Sequence, residues 1–358
     1  MLIFDGHLDL SMNALEWNRD LRRPLEEIRS RESHMTDRAG RGQGVVSFPE
    51  MRRGGIGLCI ATQIGHSVSK DSPKPGWSSP EIAWSMTQGQ LAYYRAMEEV
   101  GEMVQISDRE SLQAHVKLWQ DTPEEEQEKL AIGYVLSLEG ADSILTLDYL
   151  HRAYRYGLRA VGPAHYGPGR YAPGTGETGG LEPDGRKLLA EMQSLGMILD
   201  ATHLTDKGLA EALDIFDGPV WASHSNARAL VQHQRQWGDE HIKELAARGA
   251  VLGAAFDAWM LIPNWKRFVT KPEETNCRLA TVVDHIDYIC QLLGSTAHSA
   301  IGSDLDGGYG REQCPRDLYT ISDLSRIAEL LAERGYSEAD IAGIMHGNWI
   351  RFLENAWA

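Results

Sequence analysis

Cysteine is scarce in this chain, with four residues in 358: Cys59, Cys277, Cys290 and Cys314. None forms a CxxC pair or a zinc-finger spacing. That excludes a disulfide-framed small fold and a cysteine-based zinc site, and leaves free thiols, buried or half-exposed. Basic residues are also outnumbered, 35 Lys+Arg against 51 Asp+Glu. The resulting net charge of −16 argues against nucleic acid and against an anionic membrane as partners. No stretch reaches the roughly 18 consecutive apolar residues that a membrane span needs. The opening Met1-Leu2-Ile3-Phe4-Asp5 meets an acid too early for a signal peptide, and residues 352–358 carry no lipid-anchor signal. The expectation is a cytoplasmic protein. There is no fixed-length repeat and no low-complexity linker, so residues 1–358 read as one catalytic domain.

What the chain does have is apolar content, 42% of residues, and 36 glycines, which suit many tight exits from strands. Short apolar runs alternate with longer segments of helical spacing. The runs are residues 2–9, 57–64, 132–139, 158–165, 197–203, 220–224, 250–256 and 300–304. Helical spacing covers, among others, residues 81–100, 184–195, 207–215, 239–248 and 281–293, with closing helices over 322–334 and 337–355. Ser337 followed by Glu338 and Asp340 has the pattern of an N-cap with acids in the first turn. Strand–helix alternation implies a parallel sheet, and eight units imply closure into a (β/α)8 TIM barrel. A ninth apolar patch, residues 103–106, is expected to lie outside the barrel. Residues 19–48 and 167–185 look irregular, and both follow strand ends, which places them over the barrel mouth.

The chemistry-bearing residues gather at the ends of these runs: Asp5, His7 and Asp9; Glu139; His165; Asp200 and His203; His224; Asp304 and Asp306. In a barrel of this kind the carboxyl ends of the strands build the active site. On a strand, residues i and i+2 point the same way, so the imidazole of His7 and the carboxylate of Asp9 can grip one ion. Imidazole and carboxylate are the usual ligands of a catalytic zinc with an open position. Donors from separate strands can hold two ions, and Glu139 can bridge them. A single strand-end histidine is more often a hydrogen-bonded structural residue than a ligand; the combination carries the argument. His34, His115, His151, His241 and His346 fall in helices and loops and read as solvated or structural.

Asp5-Gly6-His7-Leu8-Asp9, Leu138-Glu139-Gly140, the stretch from Leu195 through Asp200 to His203, Ser223-His224-Ser225 and Gly302-Ser303-Asp304-Leu305-Asp306-Gly307 together resemble the membrane (renal) dipeptidase family, a branch similar to the metal-dependent amidohydrolases. The resemblance implies a zinc-dependent dipeptidase acting on L-L and L-D dipeptides through a hydroxide held in a binuclear site. It implies two zinc ions per chain, for which Mn or Co can substitute. It further implies that His7 and Asp9 bind one ion, that Glu139 bridges both, and that His203 and His224 bind the second. His165 would reach the substrate carbonyl oxygen, Arg235 would take the terminal carboxylate, and Asp304 would hold the water and shuttle its proton.

Other readings of single residues stay open. Arg235 sits in a polar stretch, Val231-Gln232-His233-Gln234-Arg235-Gln236-Trp237, where a solvated surface residue is the bland reading. Asp306 competes with Asp304 for the base role. Asp5 and Asp200 read as orienting carboxylates, and His233 and His285 as structural. Gln236 stands where the family has Asn, and the cysteines do not sit where secreted relatives pair theirs. The aromatic loops around Tyr166, Tyr171 and Pro173 and over residues 257–265 fit either a pocket wall or a homodimer contact. Two rival functions remain beside the dipeptidase: another amidohydrolase reaction on the same metals (N-acyl amino acid deacylase or lactonase), and a non-catalytic metal-binding barrel.

Overall fold

The computed structural model describes residues 1–68 and 76–358. Among these residues nine strands alternate with helices: β1 (Ile3–Leu8), β2 (Ile56–Ile64), β3 (Met103–Gln105), β4 (Ile132–Glu139), β5 (Ala160–Gly162), β6 (Ile198–Asp200), β7 (Val220–Trp221), β8 (Leu252–Ala254) and β9 (Ser299–Ile301). All pairings are parallel. The order runs β1-β2-β4-β5-β6-β7, a single Ala222–Leu252 bridge carries the sheet on to β8, and β8 pairs with β9. These eight strands form the TIM barrel. β3 pairs with the first residues of β4 and stands off the barrel path, as the ninth apolar patch suggested. Among the described residues no ladder joins β9 to β1. The seam there is held by Asp5, whose carboxylate accepts the backbone N–H of Ser303 at 2.7 Å and its hydroxyl, and by Asp304 N–H donating to His7 O at 3.2 Å.

Several strands are shorter than the apolar runs that announced them. The polar residues at their ends turn their backbones to side-chain partners and leave the ladder. Asp9 already lies one residue beyond β1, with φ −84° and ψ 50°, at the head of a helix over Leu10–Leu15. The segment over residues 19–48 is not wholly irregular. It contains a helix, Leu25–Glu32, that buries Leu25 and Ile28 and sets acids in its first turn and arginines in its last. The closing segment is likewise not one helix. Glu338–Ala342 starts under the predicted Ser337 cap, a π turn covers Gly343–Gly347, and Asn348–Ala356 resumes the α geometry. Among the described residues, no helix is long and apolar enough to cross a membrane.

Two apolar layers hold the barrel. The larger lies between strands and surrounding helices. The smaller fills the barrel itself: Val135 shares the parity of Glu139 on β4, and Ile198 that of Asp200 on β6, so each lies below a site residue on the same face. Its floor is aromatic. Trp349, from the last helix, meets Phe4 at 6.1 Å and Trp221 edge-on at 5.6 Å, and its indole N–H donates to Ile301 O at 2.8 Å. Gly6 is required there, since a Cβ would come within 2.4 Å of the Trp349 ring. The four cysteines are buried free thiols.

Candidate metal centre

The carboxyl ends of five strands bring their polar residues to one point. His7, Asp9, Glu139, His203, His224 and Asp304 supply three overlapping donor triads: His7–Asp9–Glu139, Glu139–His203–His224 and His7–His224–Asp304, each with ligand atoms within 4.8 Å of one another. Glu139 is the hub. Its Oε2 lies 3.7 Å from His7 Nε2, and its Oε1 lies 3.1 Å from His203 Nε2 and 3.3 Å from His224 Nε2. His7 Nε2 is 3.8 Å from Asp9 Oδ1 and 3.9 Å from Asp304 Oδ1. The i, i+2 spacing of His7 and Asp9 therefore does converge, although the chain has left the strand by Asp9.

The imidazoles are aimed by hydroxyls on their far side. Thr175 Oγ1 is 2.9 Å from His203 Nδ1, and Ser223 Oγ is 2.9 Å from His224 Nδ1 and 3.4 Å from His7 Nδ1. An Nδ1–H given to a hydroxyl leaves the Nε2 lone pair directed at the centre, the usual arrangement behind a metal-ligating histidine. Asp200 and Asp5 act one step further back. Asp200 accepts the backbone N–H groups of Thr202 and Ser223 at 3.0 and 3.1 Å, and Asp5 those of His7 and Ser303. They fix the backbone that carries the candidate ligands, through its N–H groups. His203, Asp304 and Asp306 all hold positive φ, of 71°, 57° and 62°, strain that non-glycine residues carry mainly at functional sites.

These residues fit a cation. His7 Nε2, Asp9 Oδ1 and Glu139 Oε1 are buried without a hydrogen-bond partner, and such atoms inside a protein call for an ion or water. Burial pushes Glu139 well up, helped by the charges of Asp9 and Asp304, and raises Asp9 to about 7. Burial and the Arg235 charge push His7 down to about 3 and His203 well below its usual range. The imidazoles are thus neutral, with no proton to compete for a metal, and the carboxylates crowd one another until positive charge relieves them.

Arg235 is buried, not a solvated surface residue. Its guanidinium donates to Ser225 Oγ at 2.8 Å and to His224 O at 2.7 Å, and among the described residues no carboxylate lies within ion-pairing distance. His165 is beside Glu139, Nε2 to Oε2 3.8 Å, and 4.7 Å ring to ring from His203. Asp306 is committed elsewhere: its carboxylate accepts Val45 and Val46 N–H and pairs with Arg19 at 3.3 Å. His233 accepts the Arg235 backbone N–H at 3.0 Å, and His285 lies buried behind the loop, accepting Ala227 N–H. Gly307 gives Asp304 its room, since a Cβ there would fall 1.9 Å from Asp304 Oδ1.

A cavity of about 690 Å³ opens over the centre, lined by Met12, Glu16, Arg38, Ile64, His66, Trp77, His165, Tyr166, Thr175 and Arg267. Tyr166 is a wall residue, as one reading of its loop held. Tyr171 and Trp265 are instead buried in the core. Glu16, His66, Thr175 and Arg267 were missed in the sequence. They sit on loops or a helix end with neither a strand run nor a motif to mark them.

The chain matches the family model described as membrane dipeptidase (peptidase family M19) over residues 1–357. An uncharacterised protein encoded in the pqqA 5′ region of Klebsiella pneumoniae is 30% identical over 58% of this chain and 76% of its own length. Dipeptidase tcpJ of Claviceps purpurea is 31% identical over 62% of this chain and 51% of its own, so the chain spans about half the length of that relative. Among solved structures, dipeptidase AC, a metallopeptidase of family M19, superposes with a TM-score of 0.78 at 25% identity, covering 100% of this chain and 99% of its own. A Rhodobacter sphaeroides metallopeptidase, solved with a phosphinate mimic of L-Ala-D-Ala, shares the fold with a TM-score of 0.77 at 24% identity, over 100% of this chain and 99% of its own.

Proposed function

The chain belongs to the membrane dipeptidase family, peptidase family M19, and from that premise we propose that it is a zinc-dependent dipeptidase cleaving the peptide bond of L-L and L-D dipeptides at a two-metal site. The observation that carries this reading is the set of donor triads sharing Glu139, with buried ligand atoms that have no protein partner. His7, Asp9 and Glu139 would hold one ion, and Glu139, His203 and His224 the other. Two bound divalent ions supply a water acidic enough to attack near neutral pH and a Lewis acid for the carbonyl.

The chain's own side chains do the rest. Arg235 offers an unpaired planar fork in a dry setting, suited to two-pronged binding of the substrate's terminal carboxylate. Fixing that carboxylate one residue from the scissile bond favours dipeptides over longer chains. His165 is neutral, its affinity for a proton pushed down to about 3, by burial above all and with a contribution from the Arg235 charge. As a neutral ring it can donate one N–H to the carbonyl oxygen as negative charge grows there. Asp304 accepts the proton at its carboxylate and returns it to the leaving amine. Burial and the charges of Asp9 and Asp257 push its carboxyl well up, which strengthens it as an acceptor.

Incubating the zinc-loaded protein with L-L and L-D dipeptides and with N-acetyl amino acids, and measuring amino acid release, tests the reading. Dipeptide cleavage is expected. Cleavage of the N-acyl compounds alone would replace the assignment with a deacylase. In the same assay Asp304→Asn should lose turnover while elemental analysis still finds about two metal ions per chain. Loss of an ion with that substitution would make Asp304 a ligand and not the base.

A further inference from the structure

His66 follows β2 and faces the cavity, and its position is fixed by a partner. Its Nδ1 lies 3.0 Å from Asp142 Oδ2. Asp142 is buried and fully engaged: its two oxygens also accept Ser67 N–H at 2.9 Å and Arg170 N–H at 2.8 Å. The pair is therefore built into the wall. An imidazole whose Nδ1–H is given to a carboxylate presents its Nε2 lone pair, here toward the cavity. The ring stands edge-on to His165 with centroids 6.1 Å apart. On the same cavity, Glu16 terminates the helix over Leu10–Leu15 that begins beside the ligand Asp9. Arg38, which lines the same cavity, stands 3.6 Å from the Glu16 carboxylate, too long for a tight pair, and lies over Trp17 at 5.3 Å.

In a dipeptide the α-amino nitrogen is two bonds from the scissile carbonyl carbon, about 2.5 Å away. A substrate whose carbonyl oxygen meets His165 therefore carries its amino group into the cavity that His165 shares with His66 and Glu16.

We propose that Glu16 and the Asp142-fixed His66 form an ammonium subsite that makes the enzyme select substrates with a free α-amino group over acylated or des-amino analogues. This deepens the dipeptidase reading and rests on it. Burial raises the proton affinity of Glu16, and the Arg38 charge counters it, so an arriving cation would find a partly desolvated carboxylate.

The test compares L-alanyl-L-alanine with N-propionyl-L-alanine, which lacks only the amino group, by alanine release from the zinc-loaded wild type, Glu16→Gln and His66→Asn. Metal content and melting temperature serve to check folding. Wild type should prefer the dipeptide in kcat/KM by about 10- to 100-fold, the range of one charged hydrogen bond. Each substitution should shrink that ratio, through KM more than kcat. A wild type that cleaves both compounds equally overturns the subsite and leaves the hydrolase standing. An unchanged ratio in both folded variants overturns the assignment of these two residues. Cleavage of neither compound overturns the dipeptidase reading, and the subsite with it.

Discussion

The two ends of the barrel interior are built on opposite principles. At the floor, Phe4, Trp221, Trp349 and Phe352 pack ring on ring, and the indole N–H of Trp349 has its acceptor. At the mouth, buried carboxylates and imidazoles crowd together, three of their donor atoms lack partners, and three residues hold left-handed backbones. The floor stores stability, and the mouth gives some of it up. On β4 and β6 the two layers share one face, Val135 below Glu139 and Ile198 below Asp200.

That contrast can be broken from either end. The largest effect on chemistry is expected from Glu139→Gln, which removes the hub of two triads. Turnover should fall on the order of 10³-fold or more, and elemental analysis should show both ions lost. The metal-free variant should melt no lower than the metal-free parent, since a crowded, desolvated carboxylate is gone. A marked drop in melting temperature would mean that the mouth also bears the fold. Trp349→Ala should do the reverse, costing about 3–5 kcal/mol of stability in denaturant titration while the folded fraction keeps its metal stoichiometry. Arg235→Met should raise KM for dipeptides by about 10- to 100-fold with a smaller change in kcat; an unchanged KM removes Arg235 from the substrate site. The smallest effect belongs to Ser223→Ala, which takes away the hydroxyl behind His7 and His224. Metal affinity should weaken by about 10- to 100-fold in competition with a chelator, with little loss of stability.

The sequence carried the barrel well because eight apolar runs and the helices between them are local patterns, and β3 stood out as the extra piece. It carried the residues that converge at the mouth because they stand at or near the ends of apolar runs. It overstated strand length, since residues such as His165 and His224 belong to apolar runs but spend their backbones outside the ladder. It described residues 19–48 as irregular because the helix Leu25–Glu32 has only two core-facing aliphatics among charges. Burial of Arg235 was illegible in a polar heptapeptide. Its partners, Ser225 and the carbonyl of His224, are ten and eleven residues away in sequence and adjacent only once β7 has turned. His66 and Glu16 gave no sign at all, because a loop histidine acquires meaning only from Asp142, which lies 76 positions further along the chain.

The seam between β9 and β1 is a hoop closed by a clasp instead of a weld. No strand ladder spans it among the described residues, and the two sides meet through Asp5, Ser303 and the link from Asp304 N–H to His7 O. The rivets of the hoop are thus the neighbours of the proposed ligand and of the proposed base. Ions linking His7, on one side of the seam, through Glu139 to His224 at the end of β7, on the other, would tighten the hoop as well as serve the reaction. Slow exchange of the Asp304 amide with solvent deuterium should then mark the loaded protein, and fast exchange the stripped one.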